Sequence, residues 1–358
     1  MGGQSGAQSL YSSGRTRRSS RLPRGVAPPF LVEASGPADL KMGMAAGRSV
    51  RPSSLPPLVP AQAGLLSSRA GADQAMISVE EAYQYCRRLT HRCGPHFSVG
   101  FRFLPPSKQN AIYAVYAFCR YADDIVDEAQ EAALEELLKS WQEELDRCYQ
   151  QKPTHPITVA LADAIKKYPI PKKGFEGLIE GCRMDLLYNR YPNFDSLMVY
   201  CDLVATTIRD LSLPVFGYRD PKGVAYGRAL STALQLTNIV RDIGEDLGRG
   251  RIYLPLDEIK AAGYSEEELT ARVKNEAFLK LMRFQCDRIR NYFNESAQLI
   301  PMIEADARLS VSLMRNVYVA LIDRIEKDPF TVLDRQIRLS WWGRGQVIAR
   351  TLIGRSVS

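Results

Sequence analysis

The chain has 358 residues, 45% hydrophobic and 24% charged, with 47 Lys and Arg against 40 Asp and Glu for a net charge of +7. Nine of the basic side chains and three of the acids fall in residues 1–75, which leaves 76–358 with 38 basic against 37 acidic. A near-neutral body does not support a basic groove for nucleic acid, and a nucleic-acid-binding reading depends on the tail alone. Seven Cys without a C-x-x-C pair, beside only three His, argue against a zinc site and for reduced, buried thiols.

Residues 1–75 are rich in Arg, Ser, Gly, Pro and Ala without a sustained period, and are expected to be a disordered basic tail. Two readings stay open: an organelle transit peptide, or a stretch upstream of a start at Met76. From Met76 the pattern becomes helical. "MISVEEAYQYCRRLTH" has Ser78 as N-cap and Glu81 in the capping-box position. A long helix follows through "AIYAVYAFCRYADDIVDEA", then an amphipathic one in "ALEELLKSWQEELDRCYQ". Further helices are expected around 157–167, 173–189, 194–218, 222–246, 266–300, 303–327 and 345–353, separated by turn chemistry such as "KKYPIPKKG" and "GRGRIYLP". No β-alternation and no repeat is evident, and no stretch reaches the roughly 18 apolar residues of a membrane span. The expected fold is a single all-α domain over 76–358.

Two stretches carry chemistry. In "YAVYAFCRYADDIVDE", Tyr116, Arg120, Asp123 and Asp127 lie on one helical face; in "LQLTNIVRDIGED", Gln235, Asn238, Asp242 and Asp246 do the same. Carboxylates at i, i+4 sit roughly 5–6 Å apart and repel. A solvated acidic face is the ordinary reading of one such motif. The motif occurs twice, each time with Arg close before it and apolar flanks, so two helices facing each other across a dry cavity are expected instead. Acid at its mouth suits Mg²⁺, which favours oxygen ligands and shares its shell with water and substrate phosphates. Arg120 and Arg241 would take remaining phosphate oxygens, and Asn238 and Gln235 would line the descent.

These stretches resemble the two signatures of the squalene/phytoene synthase family. "GCRMDL…RYPNFDSLMVYCDLVA" and "NVYVALIDRIEKDPFTVLDRQIRLS" are similar to its other segments, so that the resemblance covers about residues 77–345, with the phytoene synthases the most similar branch. It implies a helical bundle of the class I isoprenoid synthase type with a central cavity. The implied enzyme is a prenyltransferase that joins two geranylgeranyl diphosphates head to head to phytoene, the first committed step of carotenoid biosynthesis, through a cyclopropyl diphosphate.

By the same resemblance Asp123, Asp124, Asp127, Asn238, Asp242 and Asp246 would hold Mg²⁺, with Mn²⁺ as substitute. Arg120, Arg241 and Arg335 would hold diphosphate. Tyr116, Phe97, Phe101, Tyr200, Gln235, Asn238 and Tyr253 would contact substrate, with Tyr318 among the catalytic residues. His96 and Ser98 precede the first ladder at cavity-lining positions, and Asp185 would either join the polar mouth or pair with Arg183. No NADPH is expected for phytoene. A squalene, dehydrosqualene or presqualene diphosphate synthase acting on farnesyl diphosphate is the alternative product class, and a non-catalytic assembly factor the alternative of another kind. One departure stands out: many members read "VAGTVG" where this chain reads "VATTIR", so Thr206 and Arg209 bear on the cavity wall and on substrate length. Contact with a bilayer surface is expected because the substrates are long lipids. The Trp-bearing "WWGRGQVIARTLIG" either provides that contact or packs on the domain. A monomer or weak oligomer, cytoplasmic or in the plastid stroma, completes the expectation.

Overall fold

The computed structural model describes residues 77–93, 97–128, 133–205 and 207–356; the tail expected over 1–75 lies outside them. Eighteen helical segments follow in chain order. They are α1 (Val79–Cys93), α2 (Phe97–Phe101), α3 (Pro106–Glu128), α4 (Leu134–Tyr149), α5 (Pro156–Lys167), α6 (Lys172–Leu187) and α7 (Phe194–Val204), a π-helical turn (Thr207–Ser212) and α8 (Leu213–Phe216). Then come α9 (Gly223–Arg241), α10 (Ile243–Gly248), α11 (Leu256–Ala261), α12 (Glu266–Thr270), α13 (Glu276–Ser296), α14 (Leu299–Met302), α15 (Ala305–Lys327), α16 (Thr331–Asp334) and α17 (Trp341–Ser356). No strand occurs among the described residues, only two isolated bridges, Arg190 with Ile252 and Tyr218 with Ile303. The all-α expectation is met.

Local chemistry explains the elements. Ser78 and Glu81 form the expected capping box: the Glu81 N–H donates to Ser78 Oγ at 3.3 Å and the Ser78 N–H to Glu81 Oε2 at 3.0 Å. The amphipathic helices α1 and α4 bury one stripe each, Ala82, Tyr83, Cys86 and Leu89 in α1 and Leu134, Leu138, Trp141 and Leu145 in α4. Helices α3, α9 and α15 bury residues on nearly all sides, as central helices must. Around them α1 packs on α3 and α5, α6 on α3 and α7, α13 on α9 and α15, and α17 on α15. Phe118 of α3 lies 4.7 Å, ring to ring, from both Trp141 and Phe175, a dry aromatic wedge behind the first ladder.

Three helices end or break earlier than their period suggests. The 194–218 run divides at the π turn and α8, the 222–246 run at Asp242, and the 266–300 run at "ARVKN" between α12 and α13. At Asp242 the reason is tertiary. A Cβ on Gly244 would lie 2.6 Å from the Leu333 carbonyl oxygen and 2.7 Å from that of Val332, so glycine lets the backbone of α10 seat directly against α16.

None of the seven Cys is in a disulfide, and all but Cys93 are buried. Burial pushes the thiols of Cys86, Cys148 and Cys286 up to about 12, and those of Cys119, Cys182 and Cys201 also rise. No described helix is long and apolar enough to cross a membrane.

Candidate active site

The first ladder runs along α3. Tyr116 is half-buried; burial raises its hydroxyl pKa, Arg120 opposes this, and Cys93, Tyr318 and Asp123 reinforce it. Phe101 of α2 packs edge-on to Tyr116 at 6.4 Å and is itself buried. Arg120 pairs with Asp124, one turn on and almost wholly buried, while its Nε has no partner. Asp123 faces outward, and the Cys182 thiol of α6 donates to its Oδ1 at 3.7 Å. The Asp127 backbone belongs to α3, but its side chain, like that of Phe97, lies outside the described set, as do all of His96 and Thr206.

The second ladder crosses from α9 to α10. Asp242 sits at the junction, where Arg241 grips it with Nε to Oδ1 at 2.8 Å and Nη2 to Oδ2 at 2.5 Å. Gln336, 94 residues away, adds Nε2 to Oδ1 at 2.6 Å. Asp246 is the perturbed group. Burial and then Asp242 push its carboxyl up to about 7, Asp185 adds to the rise, and Arg249 and Arg251 oppose it. Tyr318 of α15 is fully enclosed and carried up to about 12 by burial, with Arg241 pulling down and Asp242 pushing up. Tyr318 thus feels Arg241, Asp242 and Asn238 on one side and Tyr116 on the other; it links the two ladders through the interior. Asn238 Oδ1 is buried without a hydrogen-bond partner, a costly state unless a ligand or water supplies one.

A third wall comes from α6 and α7. A Cβ on Gly181 would meet Val204 at 2.5 Å, so only glycine lets these helices approach this closely. The approach places Asp185 under three tyrosines. Tyr200 donates to its Oδ2 at 3.1 Å and Tyr253 to its Oδ1 at 2.7 Å. The rings of Tyr191, Tyr200 and Tyr253 lie 5.3 to 5.8 Å from one another. Burial first, and Asp185 next, raise the hydroxyls of Tyr200 and Tyr253, so both remain protonated donors.

Two acidic ladders, linked through Tyr116 and the buried Tyr318, make an arrangement that comparison with known proteins identifies. Residues 90–343 match the family model described as "Squalene/phytoene synthase". The chain belongs to the squalene/phytoene synthase family. It is 37% identical over 286 residues to a protein of Synechococcus elongatus named 15-cis-phytoene synthase, covering 76% of this chain and 93% of that one. It is 36% identical over 258 residues to the chloroplastic phytoene synthase 1 of Arabidopsis thaliana, covering 70% and 61%. Among solved structures, a dehydrosqualene synthase in complex with ligand superposes with a TM-score of 0.73 at 26% identity, covering 78% of this chain and 98% of that one. As a squalene/phytoene synthase the chain is a prenyltransferase.

Within this squalene/phytoene synthase, the residues singled out in sequence fall in different places. Asp123, Arg120 and Tyr116 neighbour one another on α3, Tyr116 reaches Tyr318, and Tyr318 reaches Asn238, Arg241 and Asp242, with Asp246 beside Asp242. Gln235, half-buried, continues the α9 stripe one turn before Asn238. Tyr200 and Tyr253 meet on Asp185 rather than on either ladder. Arg335 is exposed, and its neighbour Gln336 makes the contact to Asp242. Asp124, expected in the metal set, has its carboxylate buried and paired with Arg120. The pairing of Asp185 with Arg183 does not occur; Arg183 binds Glu135 and Glu180 instead. Arg209 is gripped by Asp210 with two bonds of 2.7 Å, so it does not stand as a bare cation in the wall. Sequence reasoning missed Gln336, Cys182, Arg249 and Arg251; only their adjacency to quoted motifs signalled them.

The donor set fits an oxygen-preferring cation. Asp242 is paired with Arg241, while Asp246 stays raised by burial and by Asp242 despite Arg249 and Arg251. The unpartnered Asn238 Oδ1 stands one turn before Asp242. No three His, Cys, Asp or Glu among the described residues close on a single point; Mg²⁺ characteristically shares its shell with waters and substrate phosphates.

Proposed function

We propose that this chain condenses two geranylgeranyl diphosphates head to head into phytoene, through a cyclopropyl diphosphate, with Mg²⁺ or Mn²⁺ bound by Asp123, Asp127, Asp242 and Asp246. The observation that carries the reading is the convergence of both ladders on Tyr116, Tyr318, Arg120 and Arg241. The greater identity to phytoene synthases than to the dehydrosqualene synthase structure supports the C40 product.

The divalent cation supplies charge neutralisation to the departing diphosphate. The chain's own residues do the rest. Arg120 and Arg241, each already held by a neighbouring Asp, present a preorganised positive edge to diphosphate oxygens. Loss of diphosphate leaves an allylic cation, which the aromatic faces of Phe101, Tyr116 and Tyr318 attract by about 0.5–2 kcal/mol each and shield from water. The C2=C3 double bond of the second prenyl diphosphate attacks this cation, and loss of a proton closes the cyclopropane. A second ionisation expels the remaining diphosphate and rearranges and opens the ring, and loss of a second proton gives the triene core.

The ladder acids are all retained in this chain, which argues for catalysis over an assembly role. Contact with a bilayer surface is part of the proposal. Helix α17 packs on α15, yet Trp341 and Trp342 stack on each other at 3.8 Å and both stay exposed with Leu352 and Ile353.

The test incubates the full chain with Mg²⁺ and geranylgeranyl or farnesyl diphosphate, with and without NADPH, and identifies products by mass spectrometry. A C40 hydrocarbon from the C20 donor without NADPH is expected. A C30 product from the C15 donor would move the assignment to the squalene or dehydrosqualene branch. No Mg²⁺-dependent product from either donor would sink it.

A further inference from the structure

Asp185 is a half-buried carboxylate that the ladder chemistry leaves without a role. It belongs to α6, next to the second ladder, since its charge reaches Asp246. Its two oxygens each accept one phenol, Tyr200 at 3.1 Å and Tyr253 at 2.7 Å; the Tyr200 hydroxyl also donates towards the Tyr253 oxygen, so both phenol protons stay within the Asp185 cluster. The phenols come from α7 and from the segment after α10, so three separate parts of the chain converge on one carboxylate. Both rings are buried and stacked at 5.3 Å.

This geometry restricts the phenol oxygens. A tyrosine hydroxyl has one proton to donate and lone pairs to accept with. Where the proton is held by a carboxylate, the oxygen can only accept from, or lie against, a third group. The carboxylate also polarises the O–H bond and makes the oxygen more negative. A pair of such oxygens favours a positively charged neighbour and disfavours an acceptor.

We infer that Asp185 is a positioning residue that locks Tyr200 and Tyr253 as a two-oxygen, acceptor-only pair for positive charge on the prenyl group. The inference rests on the proposed condensation. It assigns the pair to the hydrocarbon cation, whereas the ladders serve the diphosphate. Asp185 acts through the two hydroxyls.

The variants Asp185→Asn, Tyr200→Phe/Tyr253→Phe and their combination separate this from other roles. In D185N the new amide can donate to one phenol and release that phenol's proton. Expected are a fall in kcat of about 10- to 100-fold, on the scale of a hydrogen bond to a charged group, and a KM for geranylgeranyl diphosphate within about twofold of wild type. A merely structural role would not move a second readout: the affinity ratio of geranylgeranyl dimethylammonium to neutral geranylgeraniol, each with Mg²⁺ and inorganic pyrophosphate. Wild type should favour the ammonium, and D185N should lose about tenfold of that preference. Adding D185N to the double Phe variant should cost no more than about twofold in kcat.

An unchanged ammonium preference in D185N overturns the inference. So does a full further loss in the tyrosine-free background, which would make Asp185 a cation ligand in its own right. Should D185N fail to fold, the Y200F and Y253F single variants keep both rings and the carboxylate; unchanged preference in both overturns the inference equally. Failure of the proposed function reads differently: wild type then forms no product, while the ammonium ratio still reports on the tyrosine pair.

Discussion

Glu144 and Asp246 are both carboxylates set into the body of the protein, and they are treated in opposite ways. Glu144, on α4, accepts from the Thr154 and His155 N–H groups at 2.7 and 2.9 Å, from the Thr154 and Thr158 hydroxyls at 2.7 and 2.5 Å, and from Arg147. Burial would raise it, but the Thr158, Thr154 and His155 bonds outweigh that and bring it to about 2. Asp246 is set among Asp242 and Asp185 and rises to about 7. A carboxylate surrounded by donors is a fastener: it ties α4 to the start of α5. A carboxylate raised by neighbouring acids, despite Arg249 and Arg251, marks a functional-site candidate, and the proposed function fills it with a cation.

The sharpest way to break this contrast is to neutralise each group. Asp246→Asn should lower Mg²⁺-dependent condensation by about 10³-fold, the scale of losing metal-borne charge stabilisation, while the thermal midpoint holds or rises because a repulsion is removed. A collapse of the fold would show that Asp246 is a fastener after all. Glu144→Gln should do the reverse. Urea titration is expected to show a loss of about 2–4 kcal/mol, with turnover at low temperature close to wild type.

The pH dependence of stability sharpens the same contrast. Glu144 has a folded value below its unfolded one, so its contribution is complete above about pH 4.3 and fades as the pH falls towards 2. Asp246 has a folded value above its unfolded one. Its contribution is complete below about pH 3.9 and is lost as the pH rises through 7. A cation replaces the missing proton. Mg²⁺ with pyrophosphate should therefore raise the thermal midpoint more at pH 8 than at pH 5.5; an equal shift at both would contradict the reading of Asp246 as a cation site. The smallest effect is expected between the two extremes. Asp242 is part fastened, by Arg241 and Gln336. Gln336→Ala should cost a few-fold in turnover and about 1 kcal/mol or less in stability, measured on the same preparation.

What the sequence made legible was local. The 3.6-residue period placed Tyr116, Arg120 and Asp123 on one face of α3 and Gln235 and Asn238 on one face of α9, the Ser78–Glu81 spacing marked the first helix, and the flanking apolar residues marked α3 and α9 as central. What it hid was tertiary. The break at Asp242 depends on the carbonyls of Val332 and Leu333, some ninety residues on. The engagement of Asp124 by Arg120, rather than by the mouth, depends on which side of α3 is enclosed. The tyrosines on Asp185 come from 15 and 68 residues away, and no period connects them. Family resemblance carried Tyr200 and Tyr253 as substrate-contacting positions, but only the folded chain joins them to a common carboxylate.

The enclosed thiols have a practical consequence. With six of seven sulfurs buried and held as thiols, an alkylating reagent reaches Cys93 at the end of α1 first and the remainder only when the helices part. Progressive mass labelling under native conditions thus becomes a stopwatch for internal opening, with Cys182 beside Asp123 timing the mouth of the site and Cys286 timing α13. The protein carries six reporters of its own breathing at known addresses, without an introduced probe.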